Sequence, residues 1–182
     1  MTLLSHEELR NIVEQEIITP VDPNDINAAS IDIHLGDTLL IELTPREYSR
    51  WIVDYSKRTP LFMDKVVMDD DGYVLEPGAF ILAQSREVFN LPNWLSAEYK
   101  LKSSMARIGL EHMNAGWCDA GWNGSVLTLE FKNMCSHHSI RIRPGDAIGQ
   151  MIFFRHEPVA SEASYASKGR YNGDTSVSGI KA

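Results

Sequence analysis

Two carboxylates and one run of hydroxyls and cations carry the chemistry legible in this chain. Glu130 stands in Val126-Leu127-Thr128-Leu129-Glu130-Phe131. If that run is extended, the pleat sets Leu127, Leu129 and Phe131 on one face and Val126, Thr128 and Glu130 on the other. Glutamate is disfavoured in strands, so Glu130 either faces solvent or is held in a site at some cost in desolvation, where it can act as general base and acid. Ahead of it, Ala115-Gly116-Trp117-Cys118-Asp119-Ala120-Gly121-Trp122-Asn123-Gly124 crowds three glycines and two tryptophans around one aspartate. Such a segment is either a turn packing its indoles or a pocket wall where backbone approaches a flat ligand, with Asp119 as polar anchor. Further upstream, Lys102-Ser103-Ser104-Met105-Ala106-Arg107-Ile108-Gly109-Leu110 places two hydroxyls and two cations in six residues. By itself it reads as a capped helix start with solvated cations.

The elements that must position these residues are short and mostly extended. Ser5 followed by Glu8 has capping-box spacing, and Leu9, Ile12, Val13 and Ile17 share one helical stripe, which predicts one short N-terminal helix. From about residue 30 the period changes to two. Ala29, Ile31, Ile33 and Leu35 alternate with polar residues, Leu39–Leu43 makes a second run, and further strands fit 79–84, 126–131, 139–142 and 147–154. The cluster Asp69-Asp70-Asp71-Gly72 between two apolar runs predicts a hairpin with a solvated acidic tip. From Ser161 onward Ser, Gly, Ala, Lys, Asn and Thr dominate, the composition of a mobile tail outside the core. These observations predict a mainly β domain over 1–160 and a flexible tail over 161–182.

The chain has 182 residues, 43 % of them hydrophobic, enough for one domain with its own core. Its net charge of −8, from 25 acidic and 17 basic side chains, repels a phosphate polymer and argues against a nucleic-acid binder. No stretch approaches the roughly 18 apolar residues of a membrane span, and two cysteines without a CxxC pair fit a reducing cytoplasm.

Taken in order and spacing, these features resemble the dCTP deaminase branch of the trimeric dUTPase-like superfamily. Ile26-Asn27-Ala28-Ala29-Ser30-Ile31-Asp32-Ile33-His34-Leu35-Gly36 is similar to its N-terminal signature, and Lys102–Leu110 to its Arg-Ser-Ser-x-Ala-Arg-x-Gly-Leu motif. Thr128-Leu129-Glu130-Phe131 resembles the strand of the catalytic Glu, and Arg143-Pro144-Gly145-Asp146-Ala147-Ile148-Gly149-Gln150 the turn and strand after it. The resemblance implies a distorted jelly-roll-like β-barrel and a homotrimer with active sites between subunits. It also implies hydrolytic deamination of dCTP to dUTP and ammonia, with Mg2+ carried by the substrate phosphates. It implies no protein-bound metal, and the chain lacks the Pro-Cys-x-x-Cys that zinc deaminases use.

Carried over residue by residue, the resemblance makes Glu130 the proton shuttle. Ser103 and the Ala115 carbonyl would hold the nucleophilic water, and Arg107 would fix Glu130 and the base. Asp119 and the strand at Thr128 would read sugar and base. Lys102, Ser104 and Gln150 would contact phosphates, and Tyr165, Lys168, Arg170 and Tyr171 belong to the tail that closes over them. Three positions depart from the pattern: Lys102 stands for Arg, Ala120 for Pro, and Asp174 lies where the tail should meet phosphate. The alternatives are a bifunctional enzyme that also performs the dUTP pyrophosphatase step through Asp119, a deaminase of dCMP or a base-modified dCTP, and a noncatalytic nucleotide-sensing trimer. Neither cysteine receives a role, and His112, His137 and His138 are read as surface or loop residues.

Overall fold

The computed structural model describes residues 1–43 and 52–181; Ala182, the last residue of the expected lid, lies outside them. The chain is mainly β. Among the described residues twelve strands and three short helices follow in order, with two single 3-10 turns. The strands are β1 (Thr2–Leu3), β2 (Ile18–Thr19), β3 (Ile31–Glu42), β4 (Met63–Val67), β5 (Tyr73–Leu75), β6 (Phe80–Asn90), β7 (Leu95–Leu101), β8 (Leu110–His112), β9 (Trp117–Cys118), β10 (Asn123–Asn133), β11 (Ile140–Ile142) and β12 (Ala147–Arg155). The helices are α1 (His6–Glu14), α2 (Ser103–Arg107) and α3 (Tyr165–Lys168).

Helix α1 starts where the sequence places it: the Glu8 carboxylate accepts hydrogen bonds from both the Ser5 N–H and the Ser5 hydroxyl, each 3.0 Å. Its inward stripe, Leu9 and Ile12, is fully buried. The main sheet has ten strands, with β8-β10-β6-β3-β12-β7-β9 as its spine and β1, β2 and β4 pairing at its sides. Its curl comes from β3. The two runs expected on either side of Gly36 are one 12-residue strand. Its first half pairs with β12 and its second half with β6 and β4, with a register shift between Leu35 and Leu39. Gly36 marks the close approach of β6 rather than a strand end, since a Cβ there would lie 2.9 Å from Gln84 Cγ.

The acidic turn forms, with the Gly72 N–H on the Asp69 carbonyl at 3.0 Å and Gly72 at φ +77°. It does not close a hairpin. β4 joins β3 in the main sheet and β5 pairs with β11 in a separate two-stranded sheet, so the turn is a corner between layers. The core between the layers is built from Ile31, Ile33, Leu35, Phe89, Tyr99, Leu129, Phe131, Met151 and Phe153, all at or below 1 % exposure. Strand β7 is not among the strands expected from sequence, although Leu95, Ala97 and Tyr99 alternate along it and are buried. The tail is not outside the core altogether. It folds back along β10, where the Val126 N–H meets the Asp174 carbonyl at 2.8 Å, and Val177 is buried. Among the described residues, no helix is long and apolar enough to cross a membrane.

Candidate active site

Strand β10 splits its side chains as the pleat requires: Leu127, Leu129 and Phe131 are buried, and Thr128 and Glu130 are half-buried on the opposite face. That face borders a cleft of about 870 Å3. Ala115, Trp117, Asp119, Thr128, Glu130, Tyr165 and Tyr171 all line it. Both carboxylates singled out by sequence therefore border one space, Glu130 brought there by β10 and Asp119 by the turn that follows β9.

Glu130 is held from behind. β8 pairs with β10 in the register Phe131↔His112, and the Met113 N–H meets the Glu130 carbonyl at 3.1 Å. His112 Nε2 lies 3.4 Å from Glu130 Oε2. Its ring packs against Tyr99 at 4.7 Å and Phe131 at 5.8 Å between centroids. His112 is thus buried rather than a surface or loop residue. Leu110 and His112 share the inner face of a three-residue strand, too short for alternation to show in sequence.

The glycine-rich segment packs one of its indoles in the core and lines the cleft with the other. Trp122 is a core indole, stacked on Phe89 at 5.3 Å, with its N–H on the Tyr171 carbonyl at 3.0 Å. Trp117 is half-exposed in the cleft wall, and its indole N–H donates to Asp119 Oδ1 at 2.8 Å. Gly116 lies so close to β7 that a Cβ would meet the Tyr99 carbonyl oxygen at 2.7 Å, which fixes the wall's depth beside Ala115. Burial pushes the thiol of Cys118 up, and the charge of Asp119 adds to that. It pushes the Tyr165 phenol up as well, and Tyr165 accepts the Tyr171 N–H at 3.4 Å.

Other residues from the resemblance fall elsewhere. Ser103, Ser104 and Arg107 are exposed on α2 and do not border the cleft; near them Ile108, Met113 and Met134 are about half exposed. Lys102 is ion-paired with Asp32, whose other oxygen accepts from Asn27 Nδ2 at 2.9 Å, and Gln150 accepts from the Ser30 hydroxyl at 3.1 Å. The N-terminal signature, Lys102 and Gln150 thus form one polar cluster across β3 and β12. Lys168 borders a smaller adjoining pocket with Asp119, Ser96 and His156, and Arg170 is exposed. Sequence reasoning missed Trp117, His112 and Asp32 as site residues. It also missed Lys181 and parts of the segment 53–63, which contribute to the cleft's lining.

Among the described residues, no cluster of three or more His, Cys, Asp or Glu side chains is placed to hold a metal ion. Asp119, Glu130 and Asp174 border the cleft without forming such a cluster, so a divalent ion there would keep the phosphates and waters it arrives with as its ligands.

The family model described as dCTP deaminase-like matches residues 3–156. The chain belongs to that family. It is 38 % identical over 176 residues to a protein of Persephonella marina named dCTP deaminase, dUMP-forming, covering 94 % of this chain and 92 % of that protein. A protein of Nanoarchaeum equitans with the same name is 31 % identical over 182 residues, covering 92 % and 90 %. The fold is also that of the 2'-deoxycytidine 5'-triphosphate deaminase of Agrobacterium tumefaciens, with a TM-score of 0.65 at 24 % identity. That match covers 88 % of this chain and 50 % of the other, so this chain spans half that protein's length. The chain is accordingly an enzyme, mainly β, with a cleft at strand β10.

Proposed function

We propose that this enzyme deaminates dCTP and then hydrolyses the product, giving dUMP, ammonia and pyrophosphate. The observation that carries this reading is that two carboxylates, Glu130 and Asp119, border one cleft in separate settings, the first beside His112 and the second hydrogen-bonded by the Trp117 indole. One base serves each step. The relatives named dUMP-forming support the bifunctional alternative over the expectation that the reaction stops at dUTP.

In the first step Glu130 takes a proton from water as its oxygen attacks the ring carbon bearing the amino group and passes it to the ring nitrogen; it then moves the proton of the new hydroxyl to the amine, which leaves as ammonia as the carbonyl forms. The Ala115 carbonyl at the cleft orients that water. In the second step Asp119 activates a second water toward the α-phosphorus, and pyrophosphate leaves. Mg2+ entering with the triphosphate supplies charge neutralisation. Tyr165 and Tyr171 form the cleft side of a tail that closes over the nucleotide, and the domain–lid division at about residue 160 follows from that role.

The active unit is a homotrimer. Ser103, Ser104 and Arg107 sit outside this chain's own cleft on a surface with exposed Ile108, Met113 and Met134, which suits a helix delivered to a neighbouring copy. The Lys102–Gln150 cluster would meet phosphates at the same seam.

The deciding experiment is a product profile with dCTP and Mg2+, followed by ammonia release and nucleotide chromatography. Equal amounts of ammonia, pyrophosphate and dUMP are expected; accumulation of dUTP without dUMP overturns the second step. Asp119→Asn should leave ammonia release and let dUTP build up, whereas Glu130→Gln should hydrolyse added dUTP but leave dCTP intact.

A further inference from the structure

Among the described residues that border the main cleft, three are acids, Asp119, Glu130 and Asp174, and one is a base, Lys181. A nucleoside triphosphate carries several negative charges, so in a space whose acids outnumber its bases a cation held at the lining, beside the Mg2+ that the nucleotide brings, gives the phosphates a favourable contact. Neither tail cation suggested by the resemblance fills that place: Arg170 is exposed outside the lining, and Lys168 borders the smaller pocket.

Lys181 is built into position. Its ammonium is ion-paired with Asp174, donates to the Arg170 carbonyl at 3.2 Å, and lies 5.4 Å from the centre of the Tyr171 ring. The backbone is tied on both sides: its N–H donates to the Tyr171 hydroxyl at 3.4 Å, and its carbonyl accepts from Arg58 Nη1 at 3.4 Å. Asp174 is fixed in turn by the Ser178 hydroxyl at 2.9 Å and by its backbone carbonyl on the Val126 N–H. A flexible lysine held by an acid, a carbonyl and a ring has lost much of its freedom before ligand arrives, which lowers the entropic cost of a phosphate contact. An ammonium has three donors, and two are used here, so one remains for an anion.

We propose that Lys181 is a substrate-binding residue that contacts the phosphates of the nucleotide in this cleft, with Asp174 as its anchor. The inference rests on the reading of the cleft as a nucleoside triphosphate site. It also gives Asp174 a role: the carboxylate that looked repulsive in sequence is neutralised and aims a cation.

The test uses the full-length enzyme with Lys181→Met and Lys181→Arg. Lys181→Met should raise KM for dCTP about tenfold, the loss of one charge-assisted contact, with kcat changed less than about twofold. The KM for deoxycytidine, which has no phosphate, should stay put, and Lys181→Arg should recover most of the dCTP effect. A tether for the tail would instead weaken nucleoside and triphosphate alike, and that outcome, or an unchanged KM for dCTP, overturns the proposal. Calorimetry with inorganic triphosphate reads the contact without turnover: wild type should bind about tenfold tighter than Lys181→Met, and equal binding or none by wild type also overturns it. Failure of wild type to act on dCTP while this difference persists would count against the function and not against Lys181.

Discussion

His112 Nε2 and Glu130 Oε2 face each other at 3.4 Å, and both are buried and without a hydrogen bond among the described residues. Two orphaned polar atoms this close are costly unless one proton or one water joins them. One carboxylate oxygen is buried beside the His112 ring, while the Glu130 side chain as a whole keeps 27 % of its surface exposed and the residue borders the cleft. The ring cannot turn away, because Tyr99 and Phe131 pack against it.

Replacing His112 by Phe keeps those ring contacts and removes the nitrogen. Deamination should then lose about tenfold or more in kcat with KM for dCTP changed less than about threefold, since the loss is in the acid–base step. Hydrolysis of dUTP, assigned to Asp119, should remain within about twofold of wild type. Steady-state kinetics on both substrates checks this, and an equal fall in both activities would point to a general loss of structure.

If α2 serves the neighbouring copy's cleft, Arg107→Ala and Glu130→Gln lie in the same site but on different subunits. Each variant alone should be inactive in deamination. Unfolding and refolding them together should restore about a quarter of wild-type ammonia release, because random assembly puts both intact residues at about a quarter of the sites. No recovery in properly assembled trimers would place both residues in one chain's site.

Gly149 of β12 rests on the Tyr99 ring, where an added Cβ would lie 2.0 Å from Cε2, and Tyr99 is 1 % exposed with nowhere to go. Gly149→Ala should destabilise the fold by about 1–3 kcal/mol, lowering the Tm by about 2–4 °C for each kcal/mol. Gly179→Ala, with nothing within 4 Å and no positive φ, should leave the Tm unchanged. Thermal melts of the two variants side by side make the comparison.

Cys118 is buried and Cys135 half-buried. A thiol reagent should label Cys135 in the folded protein and reach Cys118 only in denaturant, as peptide mapping would show. Because burial raises the Cys118 thiol in the folded state, its contribution is intact below the ordinary thiol pKa of about 8.5 and is lost as pH climbs above it. Tyr99, also raised by burial, acts in the same direction at still higher pH. Urea unfolding across this range should show alkaline destabilisation that Cys118→Ala makes shallower.

Local pattern alone determined a good part of this protein. The Ser5–Glu8 cap and the Leu9–Ile12 stripe placed α1, and period-two alternation placed β10, β12 and the first half of β3, because hydrogen bonding and pleat are local properties that the order of side chains records. The same alternation set Glu130 apart from Leu129 and Phe131. What tertiary structure decided is what depends on which strands meet. Gly36 looked like a break and is a crossing point; the Asp69–Gly72 turn looked like a hairpin and is a corner. His112, on a three-residue strand, acquires meaning only when β8 pairs with β10 and brings it behind Glu130. Lys181 lies 51 residues beyond Glu130 in sequence and reaches the same cleft because the tail returns along β10. Partners so distant along the chain leave no period in the sequence, and it is the curl of the sheet and the return of the tail that put them on one cleft.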